Sequence, residues 1–212
     1  MDSDITSSDI RICFFGDSLV NGARDPECLG WTGRACADAR RRGYDVTYYN
    51  LGVRGETSAD ITARWRAEAS RRLLVRNRYI KPGVVFSFGV NDTGVIRGGR
   101  RVSLEDSIAN IARILGEAKG VFPMIMVGPL PIADTGRHSE IQTLSKQFES
   151  TCESLGVPYL DLFGELVRSR VWMDEVSAVD GAHPSAVGYA EVANLVLNWS
   201  AWDALVGSPQ VR

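Results

Sequence analysis

Apolar residues in this chain fall into two alternating patterns. Short runs of four to six are almost wholly apolar, and longer stretches repeat apolar positions every three or four residues. The first short run is Ile10–Phe15, ending at Gly16; a periodic stretch at 31–42 follows and closes at Gly43. Val46–Leu51, rich in aromatic and β-branched residues, predicts a second strand. Thr57 to Leu74 predicts a helix that starts on a capping-box pair, Thr57 and Asp60. Val84–Phe88 follows Pro82-Gly83 and has the unbroken apolar character of a strand buried on both faces. Ser103 opens another helix, with Leu104, Ile108, Ile111 and Leu115 along one stripe. Met124–Val127 predicts a fourth strand, Ser139–Leu155 a helix, and Pro158–Leu162 a short fifth strand. A final helix begins after His183-Pro184 and carries Val187, Val192, Leu195, Val196 and Trp199.

Strands separated by helices, with crossovers long enough for right-handed connections, predict a parallel α/β sandwich. The expected sheet has five parallel strands in the flavodoxin-like order 2-1-3-4-5. In such sheets ligands bind beyond the carboxyl ends of the strands, where the order reverses. That crevice lies between strands one and three, which singles out the loops after Phe15 and after Phe88. One domain over residues 10–205 is expected, flanked by a polar tail at 1–9 and a short tail at 206–212.

Composition narrows the function. The chain has 212 residues, 44% hydrophobic and 24% charged, with a formal net charge of −2. This suits one compact domain and gives no footprint for nucleic acid or an anionic membrane surface. The basic runs Arg40–Arg42 and Arg97–Arg101 are short and read as solvated surface. The first nine residues are polar and acidic, unlike a secretory signal, and no run reaches the roughly 18 apolar residues of a membrane span. A cytoplasmic protein is expected. Cys13, Cys28, Cys36 and Cys152 form no CxxC pair and read as free thiols, with Cys13 in the core. Two histidines, His138 and His183, make a His-rich metal site implausible, and no cofactor or metal is expected.

The loops predicted to matter hold unusual residues. Gly16-Asp17-Ser18-Leu19 follows strand one, and Gly89-Val90-Asn91-Asp92 follows strand three. Asn50-Leu51-Gly52-Val53-Arg54-Gly55-Glu56-Thr57 follows strand two, and Asp180-Gly181-Ala182-His183-Pro184 precedes the last helix. Each alone is an ordinary turn. All four together, in this order and at these places in the fold, form a specific signal.

The set resembles the SGNH/GDSL hydrolase family. Its GDS(L) block matches Gly16–Leu19, its glycine after strand two is best matched by Gly55, its GxND block matches Gly89–Asp92, and its DxxHP block matches Asp180–Pro184. The resemblance implies a three-layer α/β/α fold and a cofactor-free hydrolase of esters or thioesters.

The same residues carry a physical reading. A serine hydroxyl becomes an effective nucleophile when a base takes its proton. His183 has a carboxylate three residues upstream, so Asp180 can hold one ring nitrogen and leave the other for Ser18. The expected catalytic residues are therefore Ser18, Asp180 and His183. The oxyanion donors are the backbone N–H of Ser18, the backbone N–H of Gly55 and the side-chain amide of Asn91. Gly52 competes with Gly55, and the family pattern favours Gly55. Pro184 suits the first turn of a helix, whose N-terminus would discourage protonation of His183. Asp17 and Asp92 read as loop-bracing residues, and Asn21 and Gly22 as shaping the turn after Ser18.

Three loops should ring the crevice: Gly22–Trp31, Thr93–Val102 and Pro129–Arg137. They offer Trp31, Arg97 and His138 as candidate substrate contacts; for His138 a plain surface position is the default. Arginines in these loops would favour an anionic or sugar-bearing ester. The absence of a large apolar lid disfavours long-chain triglycerides. The expected activity is hydrolysis of short acyl esters such as acetyl esters, with a small-molecule ester as partner. Lysophospholipase, thioesterase or acyl-transfer activity would use the same residues. A non-enzymatic flavodoxin-like binding module is the rival from another class, weakened by the lack of GxxxxGK[ST] or GxGxxG after strand one.

Overall fold

A computed structural model describes residues 9–74 and 79–207. Most of the polar tail at 1–9 and all but Val206 and Gly207 of the tail at 206–212 lie outside the described residues. The sheet strands are β1 (Asp9–Gly16), β2 (Val46–Gly52), β3 (Ile80–Ser87), β6 (Met124–Val127) and β7 (Tyr159–Leu160), all parallel, in the order β2-β1-β3-β6-β7. Counted along the chain without the small hairpin, this is the expected 2-1-3-4-5. That hairpin, β4 (Val95–Ile96) and β5 (Gly99–Arg100), lies in the stretch read from sequence as a plain loop.

Side-chain alternation on β1 explains the layers. Ile10, Ile12 and Phe14 enter one core with Trp31, Trp172, Tyr189 and Trp202. Cys13 and Phe15 enter the other with Trp65, Phe86, Ile111 and Phe148. A strand with both faces covered has no polar side to show, hence its continuous apolar run. The first core is covered by α2 (Gly30–Arg41), α7 (Arg170–Val179), α8 (Ala186–Leu197) and α9 (Ser200–Val206), with α6 (Phe163–Arg168) beside them. The second is covered by α3 (Ser58–Leu73), α4 (Leu104–Ala118) and α5 (His138–Leu155).

The predicted helix starts are built as expected. Thr57 caps α3 in a capping box with Asp60, and the Ser103 hydroxyl accepts from the Asp106 N–H at the start of α4. Three findings differ. Helices α6 and α7 lie where the sequence pattern predicts no element; α7 buries Trp172 and Val176, four residues apart, leaves Val171 and Val179 exposed, and is capped by Ser169. The last predicted helix is two: α8 ends at Leu197, Trp199 caps α9, and Val187 faces solvent. Val206, assigned to the tail, ends α9 and is buried.

Between α1 (Ser18–Asn21) and α2 the chain makes a loop with a narrow neck. Gly22 and Gly30 cross so closely that a Cβ on Gly22 would lie 2.7 Å from the Gly30 Cα. Inside the loop the Asp25 carboxylate accepts from the N–H groups of Glu27, Leu29 and Gly30 and pairs with Arg34.

Candidate active site

The site assembles at the carboxyl ends of β1, β2 and β3. Strand β1 stops at Gly16, and Asp17 caps the one-turn helix α1 by accepting from the Leu19 N–H. Ser18 thus stands at the first position of α1, in a sharp strand-to-helix turn. That turn rides over Gly52, where a Cβ would collide with the Asn21 backbone nitrogen.

The structure brings Ser18, His183 and Asp180 together. Ser18 Oγ lies 2.7 Å from His183 Nε2, across 165 residues of sequence. His183 Nδ1 is 3.0 Å from both Asp180 oxygens. Asp180 Oδ1 also accepts from the N–H groups of Ala182 (3.1 Å) and His183 (3.0 Å), which closes the turn. Asp180 Oδ2 accepts from Arg24 Nε at 3.0 Å. Partial burial opposes ionisation of Asp180. The hydrogen bonds from the His183 ring, the two backbone N–H groups and Arg24 outweigh it and hold the carboxyl well below the usual range.

Helix α7 supports this loop. Glu175 accepts from the N–H groups of Ser185 (2.9 Å) and Gly188 (2.7 Å). One expectation about Pro184 therefore needs correction. Helix α8 begins at Ala186, so Pro184 precedes the first turn. The Glu175 carboxylate sits at the positive end of α8, a favourable place for a negative charge.

The expected oxyanion donors face one small cavity of about 190 Å³, which Ser18, Gly55, Asn91 and His183 line. Among the described residues, the backbone N–H groups of Ser18 and Gly55 have no acceptor within the protein. Gly55 adopts a left-handed φ of 81°, which turns the β2–α3 loop toward Ser18 and suits glycine. The Gly52 N–H donates to Asn50 Oδ1 at 3.0 Å, so the competing glycine has its donor engaged. Asn91 Nδ2 donates to the Glu56 carbonyl at 2.9 Å and approaches Asp17 Oδ2 at 3.4 Å.

Asp17 and Asp92 brace the loops, as expected. Asp92 is fully buried and accepts from the Ser58 N–H (2.8 Å) and the Ser107 hydroxyl (2.7 Å), joining α3 to α4. Burial pushes the Asp17 carboxyl up to about 7, helped by the charges of Asp92 and Glu56 and opposed by the Leu19 N–H. Asn21 donates to the Gly52 carbonyl, and Gly22, at φ 81°, ends α1.

The three expected substrate contacts fare differently. Trp31 is a correction: it is completely buried, edge-on to Phe14 at 5.8 Å, and belongs to the core. Its side of α2 packs toward β1, so the indole cannot meet a ligand. Arg97 sits at the tip of the β4–β5 hairpin, exposed, with a left-handed φ of 53°, and does not line the cavity. His138 starts α5; its Nε2–H donates to the Ile132 carbonyl at 2.6 Å and its ring stands edge-on to Phe163. It steadies the loop whose Ile132 side chain lines the cavity. Of the predicted arginine-rich loop, Arg101 donates to the Gly55 carbonyl at 2.6 Å, which ties the hairpin to the β2–α3 loop.

Sequence reasoning missed Arg54, which lines the cavity, and Arg24, which reaches Asp180. Neither carries a motif signal, because each is defined by contacts made across the fold. Cys13, Cys36 and Cys152 are buried and Cys28 is exposed; all four are free thiols, and none lines the cavity. Among the described residues, no helix is long and apolar enough to cross a membrane.

The fold and this cluster define a family of ester-cleaving enzymes, and comparison with known proteins agrees. The model of the GDSL-like lipase/acylhydrolase family matches residues 14–191, so the chain belongs to that family and is an ester hydrolase. A lipase/acylhydrolase from Enterococcus faecalis superposes with a TM-score of 0.74 at 24% identity, covering 95% of this chain and 99% of that one. The acetylxylan esterase Axe2 from Geobacillus stearothermophilus gives 0.73 at 18% identity, covering 95% and 96%. LAE5, an alpha/beta hydrolase from the metagenome of Lake Arreo, Spain, gives 0.70 at 17%, covering 93% and 96%. At these identities the likeness speaks for the fold. A search of curated proteins found no match.

Proposed function

We propose that the protein hydrolyses short-chain carboxylic esters, such as acetyl esters, through an acyl-enzyme on Ser18. The observation that carries this reading is the 2.7 Å contact between Ser18 Oγ and His183 Nε2, backed by Asp180 on the other ring nitrogen. Ser18 Oγ attacks the acyl carbonyl while His183 Nε2 takes its proton. Asp180 fixes the tautomer that leaves Nε2 free to accept, and it stabilises the imidazolium that forms. The negative oxygen of the tetrahedral intermediate faces the N–H groups of Ser18 and Gly55 and the Asn91 amide; one such donor is worth about 3–4 kcal/mol in the transition state. Collapse expels the alcohol, which takes the proton from His183. Water then attacks the acyl-enzyme by the same route and frees Ser18.

The size of the cavity supports a small acyl group. Its roughly 190 Å³ falls below the range of about 300–1,000 Å³ common for drug-sized ligands. Leu19, Val90 and Ile132 give it apolar wall. The structural neighbour Axe2 is an acetylxylan esterase, which fits the same size class. Arg54 also lines the cavity and pairs with no described residue, so its guanidinium is free for acceptor oxygens on the alcohol part of the ester.

The test is a panel of p-nitrophenyl esters from acetate to decanoate, run beside fluorophosphonate labelling. Acetate or butyrate should be preferred, and Ser18→Ala should lose both turnover and label. Turnover that survives in Ser18→Ala would refute the mechanism. A decanoate preference would refute the short-acyl assignment and favour a lysophospholipase or thioesterase.

A further inference from the structure

We propose that Arg24 is a positioning residue of the reaction, anchoring the outer oxygen of Asp180 and restraining the basicity of His183. The inference rests on the acyl-enzyme reading given above.

The geometry around Asp180 is two-sided. On one side Oδ1 takes two backbone N–H groups from its own turn. On the other side Oδ2 has, among the described residues, one partner besides the imidazole, Arg24 Nε at 3.0 Å, supplied by a loop 156 residues away in sequence. A carboxylate held at one oxygen can swing about its Cβ–Cγ bond. Held at both, it keeps its plane toward His183 Nδ1, and the ring keeps its aim at Ser18.

The loop is built to present this side chain. Arg24 has a left-handed φ of 72°, a conformation that a non-glycine residue holds only where its surroundings enforce it. Those surroundings are on either side of it. The Ala23 N–H donates to the Ser18 carbonyl at 3.0 Å. The buried Tyr189 hydroxyl, from α8, donates to the Ala23 carbonyl at 2.8 Å. The Asp25 N–H donates to the Gly22 carbonyl at 3.1 Å. Ser18 and Arg24 are thus carried by one clamped segment, and α8 fixes that segment to the far side of the site.

A cation at this place has a definite chemical effect. It shares the charge of Asp180, which otherwise stabilises the imidazolium in full, and it repels that imidazolium directly. Removing that cation leaves Asp180 to stabilise the imidazolium unopposed, which favours the ring that cannot accept the Ser18 proton. The other charged or titratable groups around the pair are Asp17 beside Ser18, Arg54 on the β2–α3 loop, Glu175 under the Pro184 turn, and the Tyr189 phenol with Asp25 behind it. None of them contacts Asp180 through a hydrogen bond.

The test uses Arg24→Gln and Arg24→Lys in the full chain, with kcat/KM followed from about pH 4 to about pH 9. Arg24→Gln should move the acid limb upward by roughly half a pH unit, as expected for one unit charge removed at a solvated distance of a few ångströms. It should also lower the plateau several-fold, and Arg24→Lys should restore most of the acid limb. An acid limb of Arg24→Gln that overlays the wild type, with or without a lower plateau, would overturn the proposal. Arg24→Gly, which suits the backbone at this position, repeats the measurement if the glutamine variant fails to fold. Proton NMR titration of the His183 ring, separated from the only other histidine by His138→Gln, should show the same upward displacement without any turnover. If Ser18→Ala keeps esterase activity, the acyl-enzyme reading falls, while the ring titration still decides the role of Arg24.

Discussion

The side-chain amide of Asn91 donates to the backbone carbonyl of Glu56 at 2.9 Å, which locks the loop after β3 to the residue beside Gly55. Two of the three groups assigned to the oxyanion are therefore set relative to one another before any substrate arrives. One Nδ2 hydrogen makes that lock; the second makes a long 3.4 Å contact with Asp17 Oδ2, which the intermediate's oxygen would have to displace. Asn91→Ala removes both the lock and a donor. Its kcat should fall about a hundredfold or more, with a small change in KM, as for other donors of this kind. A KM effect that dominates would point to ground-state binding instead.

Asp180→Asn separates orientation from folding. An asparagine oxygen can still accept from the Ala182 and His183 N–H groups, so the turn should hold and the melting temperature should change little. The ring would lose its anionic partner, and kcat should fall by about three to four orders of magnitude. Steady-state kinetics beside a melting curve checks this. A variant that melts early would show that the loss is structural.

Asp17 makes stability depend on pH in an unusual direction. Its carboxyl is pushed up from the ordinary 3.8 to about 7 by burial, so the folded chain holds a proton that the unfolded chain releases. Where the native state binds more protons, stability falls as pH rises. The contribution of Asp17 is therefore full below about pH 4 and is lost as pH climbs through about 7. Asp17→Asn keeps an oxygen for the Leu19 N–H and should flatten the decline of melting temperature across that window. An unchanged slope would mean that another group is responsible.

Asp92 is the structural counterpart. It is fully buried, and both oxygens are used, on the Ser58 N–H and the Ser107 hydroxyl. Asp92→Ala strands two buried donors and should cost about 3 kcal/mol of stability in urea unfolding. Ser18 lies on another element, so the folded fraction should keep most of its kcat. Unaltered stability would contradict the bracing role.

Trp31 tests the boundary between core and cleft. Its buried indole N–H has no acceptor among the described residues. Trp31→Phe discards that orphan along with some volume, and the loss should stay near 1–2 kcal/mol, whereas Trp31→Ala should cost about 3–5 kcal/mol. KM should be the same in Trp31→Phe and wild type. A raised KM in the phenylalanine variant would return this residue to the substrate site.

The sheet was legible because burial on both faces leaves a mark that local composition carries. Ile10–Phe15, Val84–Phe88 and Met124–Val127 have no polar side to confuse the pattern. The loops holding Ser18, Asn91, Asp180 and His183 were legible for a related reason: each follows a strand end or precedes a helix, where the fold rule says ligands go. What was not legible depends on contacts between distant segments. Trp31 sits in a polar, glycine-rich neighbourhood of the sequence, and its burial comes from Phe14 and the core they share. Arg24 gains its meaning from Asp180, 156 residues on. Helix α7 was missed because exposed Val171 and Val179 stand beside buried Trp172 and Val176 and blur the stripe, yet Glu175 on it secures the turn after His183.

The crossing of Gly22 and Gly30 divides the molecule's tolerance for change. Residues 23–29 hang from a stalk only two backbones wide, so lengthening the loop at its exposed tip near Pro26 adds little closure entropy and leaves the stalk where it was. One methyl group on either glycine would instead wedge the stalk open and displace α1, which carries Ser18, on one side and α2 on the other. New loop sequences can thus be grafted onto this scaffold at the tip, while its two narrowest residues stay fixed.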